Sequence, residues 1–436
     1  MKLLIKNGNV FLDNTFQKKD IMIEGGLIVS VEDELQVTSF KLQEDADKMS
    51  AFPVKVIDAE NKIIVPGFVD LHCHLREPGF TYKEDIYTGT RAAAKGGFTT
   101  VCAMPNTDPV IDNIASVEFV QRKAKDIGLC KVKVIGASSK KIEGKEIAEI
   151  AIMKEGGIIA VSDDGNCVQN SKLQQNIMKY ARNFDMPVIV HAEDYNLAGK
   201  GQVHGGKIAT QLGLTGIPSV SEEIIIIRDL MLAELTKCQL HIAHLSTEKS
   251  VKLVKDAKEN GINVTTEVTP HHLIFNEDSL LSFDTNYKSK PPIRSESDRL
   301  ALLNGLKEGT IDFIATDHAP HSDHEKEKEF DYAPFGINGF ETAFAALYTE
   351  LVLKGQLSLE LLINKMSTAP AKWLKINSGE IKSGLQADLV IIDLNGSTEI
   401  TKDTMLSKSK NTPFINQTLK SKILYTICDG RITFNN

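Results

Sequence analysis

The order of residues predicts an α/β fold, a (β/α)8 TIM barrel carrying a small β-sandwich domain formed by both chain ends. Three observations predict it. Between about Pro66 and Pro370, short apolar, β-branched runs alternate eight times with stretches of helical length. Strand-like segments separated by turn residues lie on both sides of that region. Ionisable side chains recur at the ends of the apolar runs, where a parallel barrel gathers its chemistry.

Taken in order, residues 1–65 read as the N-terminal part of the small β domain. Leu3 to Ile5, Ile21 to Glu24, Leu27 to Val31 and Val54 to Asp58 are strand-like and divided by Gly, Asn and charged turns. Glu32 to Ala51 is polar and acidic and reads as a surface excursion. Residues 66–370 form the barrel. Its eight runs are Gly67 to Leu75, Thr99 to Met104, Val132 to Ala137, Gly157 to Ser162, Pro187 to His191, Gln239 to Leu245, Asn263 to Thr269 and Ile311 to Thr316. Helices are expected at Lys83 to Lys95, Lys172 to Phe184, Ser219 to Thr236, Glu248 to Asn260 and Ser297 to Lys307. Residues 371–436 return to strands, at Gly379 to Ile381, Ala387 to Asp393 and Ser421 to Asp429, and complete the small domain. An open doubly wound sheet is the alternative, weakened because no Gly-rich phosphate turn follows the first strand.

Composition narrows the function. The chain has 436 residues, room for one large domain and a smaller one. Its net charge of -8 argues against a nucleic-acid surface. No apolar run approaches the roughly 18 residues that span a bilayer, and the first residues are broken by charge, unlike a signal peptide. The six cysteines are scattered and form no CxxC pair, so reduced, buried thiols in a cytoplasmic protein are expected rather than a cysteine-ligated metal.

The strand ends carry a pattern. The first run ends with His72 and His74, two residues apart and therefore on one face of a strand. The fourth ends Asp163-Asp164-Gly165, the fifth at His191, the sixth at His244 and the eighth at Asp317. Neutral imidazoles and carboxylates are the usual ligands of a hydrolytic zinc centre. Each residue alone is unspecific, since an Asp after a strand is often a helix N-cap. Five strand ends bearing HxH, Asp, His, His and Asp form a far narrower signal.

That pattern resembles the amidohydrolase superfamily, over nearly the whole chain. Val65 to His74 is similar to the superfamily's opening segment and Gly384 to Val390 to its C-terminal return. Narrower motifs resemble dihydroorotases of the longer bacterial type: His74 to Gly79, Gly96 to Thr100, Met104 to Thr107, Thr269 to Leu273, Ala315 to His321 and Pro334 to Gly336. Pro291 to Arg294 follows the same pattern, but the residue before the two prolines is Lys290 where the family often has Asn.

The resemblance implies two zinc ions, one held by His72, His74 and Asp317 and the other by His191 and His244. Many relatives bridge the two with a carboxylated Lys on strand four, but Gly157 to Gly165 contains no Lys. The resembled subgroup uses an Asp there. Strand alternation does not decide between Asp163 and Asp164; the match favours Asp164, directly before Gly165, and leaves Asp163 to bond nearby backbone. The implied reaction is opening and closing of the dihydroorotate ring, with Asp317 moving the proton between water and the leaving nitrogen. Arg76 would continue on the face of His74 and grip the substrate carboxylate with its planar fork. The resemblance adds Asn106 and His321 to that anchor.

Other residues receive structural readings. His241 is expected in the core, His271 and His272 at the rim, His318 beside Asp317, and His204 and His324 on surface loops. Ser322 to Asp331 is charged and reads as a solvated face or a lid. The partners implied are a small-molecule substrate, a second copy in a homodimer and aspartate carbamoyltransferase. Two neighbouring readings remain: a hydantoinase, dihydropyrimidinase or allantoinase, whose substrates lack the ring carboxylate, and a non-catalytic scaffold for the carbamoyltransferase.

Overall fold

A computed structural model describes residues 2–35 and 54–436. Beyond Leu35, the Glu32 to Ala51 excursion lies outside the described residues. All eight barrel runs form strands, six of them shorter than the apolar runs that encode them: Phe68–Cys73, Phe98–Ala103, Lys131–Ala137, Ala160–Ser162, Val188–Val190, Leu240–Ile242, Val264–Val268 and Phe313–Ile314. They pair in parallel and strictly in chain order, first to eighth. A bridge between Cys73 and His318, with the His74 amide donating to the His318 carbonyl at 2.9 Å, joins the first strand to the eighth and closes the ring.

The closure has a polar seam. Asp70, fully buried, accepts from the Thr316 amide at 2.8 Å and its hydroxyl at 2.6 Å. Apolar residues at alternate positions divide between two cores, as the two-residue period of a strand requires. Val69, Leu71, Cys102, Met104, Ile135 and Phe313 fill the barrel interior together with the partly buried Trp373. Phe68, Val101, Val134, Val188 and Ile242 pack outward under the helices.

The expected helices form at Ile86–Lys95, Ser171–Arg182, Val220–Thr236, Glu248–Glu259 and Glu296–Glu308. Capping explains four of these five starts, the helix Val220–Thr236 having no side-chain cap. Asp85, Asn170, Thr247 and Ser295 accept from amides of the first turn, and Asp85 and Ser295 complete reciprocal capping boxes with Thr88 and Asp298.

Both chain ends share a second eight-stranded sheet. The strands Lys2–Leu12, Thr15–Glu24, Leu27–Glu32, Val54–Asp58 and Ile63–Pro66 join Leu389–Ile400, Gln417–Cys428 and Arg431–Asn435. The link is antiparallel pairing of Ile63–Pro66 with Leu389–Ile392. Its core takes Leu3, Ile5, Ile21, Ile57, Leu389 and Ile427 from both ends. The strand expected at Gly379 to Ile381 does not form. Gly379 takes φ +90°, with the Ala371 side chain against it, and the chain turns there while Ile381 is drawn into this core as a single side chain.

Candidate metal centre

The first strand does not alternate simply. Asp70 pairs with Val101 and Cys73 with Ala103, so three steps on one strand match two on its neighbour. This bulge turns His72 and His74 to the barrel mouth, although Val69 and Leu71 already face the interior. His72 and His74 present their Nε2 atoms. The Nε2 of His72 lies 3.3 Å from Asp164 Oδ1 and that of His74 lies 3.5 Å from Asp164 Oδ2. His191 Nδ1 and His244 Nε2 each lie 3.6 Å from Asp164 Oδ1, and 2.9 Å from each other. Asp317 Oδ1 is 3.1 Å from His74 Nε2 and 3.6 Å from His72 Nε2.

These side chains make two donor groups, His72–His74–Asp164 and Asp164–His191–His244, each with its atoms within 4.8 Å of one another. Asp164 belongs to both. Asp163 takes a different part: it accepts from the amides of Ser138 and Ser139 at 2.9 Å and from the Ser139 hydroxyl. His244 and Asp317 sit at φ +30° and +46°, and Arg76 at +60°, a region that side chains other than Gly rarely adopt. Three such residues around one mouth mark it as a place where backbone strain is retained.

A divalent cation fits this donor set. His72 Nε2 and Asp164 Oδ1 are buried with no hydrogen-bond partner among the described residues, a costly arrangement for polar atoms that a shared cation would relieve. The outer ring nitrogens are already committed. His72 Nδ1 meets Glu267 Oε1 at 2.7 Å and His74 Nδ1 meets Asn106 Oδ1 at 2.9 Å, which leaves each Nε2 as a lone pair facing inward. Burial raises the Asp164 carboxyl, but the imidazoles of His72, His191 and His244 outweigh it and hold the group well below the usual carboxylate range.

Above the donor groups lies a cavity of about 350 Å³, lined by Arg76, Asn106, Lys290, His321 and Phe335 among others. Arg76 donates from Nε to the Pro320 carbonyl at 3.1 Å and from Nη2 to His321 Nε2 at 3.2 Å. Burial lowers Arg76 only to about 10, so it stays charged. Burial, with the charges of Arg76, Lys83 and Lys326, drives His321 down to about 3, so it stays neutral. Asn106 reaches the cavity but its carbonyl oxygen is engaged by His74. Lys290 pairs with Glu193 at 2.7 Å.

Sequence reasoning missed Glu267. Its Oε1 holds His72, its Oε2 lies 3.2 Å from His241 Nε2, and the pair of imidazoles keeps it ionised, at about 2, against burial that raises it. Its signal was a lone carboxylate inside the apolar seventh run. His241 is buried, as expected, and His272 bonds Thr269 and the Pro291 carbonyl. His318 stacks on Phe340 at 4.0 Å and faces the Gly339 amide rather than the centre. His204 is not a plain surface residue: it is half-buried 3.3 Å from Arg294, and burial with that charge lowers it to about 4.

A parallel barrel with a buried His and Asp cluster across its mouth, and a second sheet built from both chain ends, is the architecture of a cyclic amidohydrolase. Solved structures share it: L-hydantoinase (dihydropyrimidinase) from Arthrobacter aurescens matches with TM-score 0.85 and 24% identity, covering 99% of this chain and 95% of that one. Dihydropyrimidinase from Brevibacillus agri matches with TM-score 0.84 and 23% identity, covering 100% and 95%. The likeness extends to sequence. Residues 61–250 match the Dihydro-orotase-like family model. The dihydroorotase of Endomicrobium trichonymphae is 47% identical over 437 residues, covering 100% of each chain. That of Caldicellulosiruptor saccharolyticus is 44% identical over 432 residues, 99% of this chain and 98% of that one. The chain belongs to the dihydroorotase family.

Proposed function

We propose that this protein hydrolyses (S)-dihydroorotate reversibly to N-carbamoyl-L-aspartate, a step of pyrimidine biosynthesis, in the cytoplasm. The observation that carries the reading is the sharing of Asp164 by two three-residue donor groups, directly beneath a cavity bearing Arg76. In this reading His72, His74 and Asp317 would hold one zinc ion and His191 and His244 a second, with Asp164, a member of both donor groups, serving where relatives use a carboxylated Lys. Bound there, zinc would supply Lewis acidity, which polarises a scissile carbonyl and makes water acidic enough to lose a proton near neutral pH.

The chain's own residues do the rest. Asp317, whose Oδ1 lies among the imidazoles, accepts the proton of the attacking water. It returns that proton to the ring nitrogen as the C–N bond breaks, and the reverse order closes the ring. Arg76 takes the ring carboxylate, its position set by the Pro320 carbonyl and neutral His321. Asn106 adds its amide nitrogen to the same anchor while its oxygen orients His74. The small cavity, with Arg76, Asn106 and His321 in its lining, suits one six-membered ring. The chain works as a homodimer, with aspartate carbamoyltransferase as a further partner.

The test is turnover of dihydroorotate, a hydantoin, dihydrouracil and allantoin by the zinc-loaded protein. Dihydroorotate should be the preferred substrate by at least two orders of magnitude in kcat/KM. Preference for a ring without a carboxylate would move the chain to a sister activity, and no turnover of any would favour a scaffold.

A further inference from the structure

The helix Val220–Thr236 is apolar on both sides. Its inner face, Ile225, Ile226, Leu230 and Ala233, is buried in the layer between barrel and helices. Its outer face carries Val220, Ile224, Ile227, Met231 and Leu235, steps of four, three, four and four residues, which place them in one line along the helix. Met231 is 66% exposed, Leu235 63% and Ile224 43%. A helix on the outside of a barrel ordinarily turns a polar face to water, and one that is apolar all round belongs to an interior.

We infer that this helix face is the contact through which a second copy of the same chain docks, in antiparallel register about a two-fold axis. The order of the apolar residues is nearly the same read from either end. Reversing one helix against the other sets Val220 against Leu235 and Ile224 against Met231, with Ile227 beside its own counterpart on the axis. A two-fold contact demands this self-complementarity. The line itself carries no charge, so pairing like with like sets no repulsion between the copies.

The surface is of suitable size. Tyr180, on the adjoining helix Ser171–Arg182, and Leu197 extend the apolar face on one side. Seven side chains at these exposures leave roughly 600 Å² per copy, at the upper end for a monomer's patch and about 1,200 Å² in a pair, where specific interfaces begin. Exposed Lys179, Glu234, Lys237 and Lys249 surround it, the polar rim of such a contact.

This deepens the homodimer of the proposed function but does not depend on its metal chemistry. An active monomer would sink only the interface, and an inactive dimer only the activity. The test is the mass of the full chain in solution by sedimentation, with Ile227→Glu and Met231→Glu beside wild type. Wild type should sediment at twice 48.0 kDa. Each variant should weaken association by about a hundredfold or more with an unchanged circular-dichroism melting curve, since both positions are exposed. All six native cysteines are buried, so an Ile227→Cys variant should oxidise to a covalent pair, whereas Leu235→Cys alone should not. A single-chain mass for wild type, including one that becomes larger only with aspartate carbamoyltransferase, would overturn the inference. So would a dimer untouched by both Glu substitutions, or failure of the Ile227→Cys variant to cross-link.

Discussion

Asp163 and Asp164 are adjacent and chemically identical, yet the fold gives them separate work, and substitution should separate them. Asp163→Ala would strand two backbone amides and a hydroxyl that now bond it, costing about 1–3 kcal/mol of stability while metal still binds. Asp164→Ala should leave the melting curve less changed but reduce bound metal, because both donor groups lose a member. Arg76→Ala should raise KM for dihydroorotate about tenfold to a hundredfold, the scale of a lost charge-assisted pair, with zinc content unaltered by elemental analysis. His321 faces Arg76 and Lys83 and gains charge only near pH 3. KM measured from pH 5 to 8 should therefore show no titration that disappears in His321→Asn; a wave lost with that imidazole would contradict its neutral role.

At the scale of elements, the alternation of apolar runs and helical stretches was sufficient to read the barrel, because each strand is buried on both faces and each outer helix on one. Two features were not legible. One is the bulge in the first strand, which depends on the register of its neighbour and not on its own residues. The other is the charged stretch Ser322 to Asp331. It holds a short helix, Asp323–Lys326, whose last residue is buried and donates to the carbonyls of Pro334 and Gly336 at 3.0 and 3.2 Å. Lys288, also buried, reaches the Asp331 carbonyl at 3.3 Å. The loop is thus fastened over the cavity wall by two buried lysine side chains, which no reading of its own charges would show. Burial and the charge of Lys288 lower Lys326 from 10.5 to about 7, and burial lowers Lys288 to about 8. Above those values the unfolded chain keeps protons that the folded one has released, so these lysines make stability rise with pH from about 7 to 10.5. Urea unfolding across that range should show a shallower rise in Lys326→Met than in wild type; equal slopes would refute the lowered Lys326.

Across the whole molecule, what was read from strand ends converges because the barrel closes. Asp70 ties strand one to strand eight through Thr316, and Asp70→Ala should cost about 2 kcal/mol by leaving that amide and hydroxyl unpaired. Glu267 was missed because its partners, His72 and His241, lie on two other strands, and only closure brings all three together. The two-ion centre is the claim on which the rest turns, and the most direct measurement of it is zinc bound per chain in wild type and Asp164→Ala. Two ions per wild-type chain, falling to one or none in the variant, is the predicted result. A single ion in wild type, or two ions retained without the Asp164 carboxylate, would contradict the account.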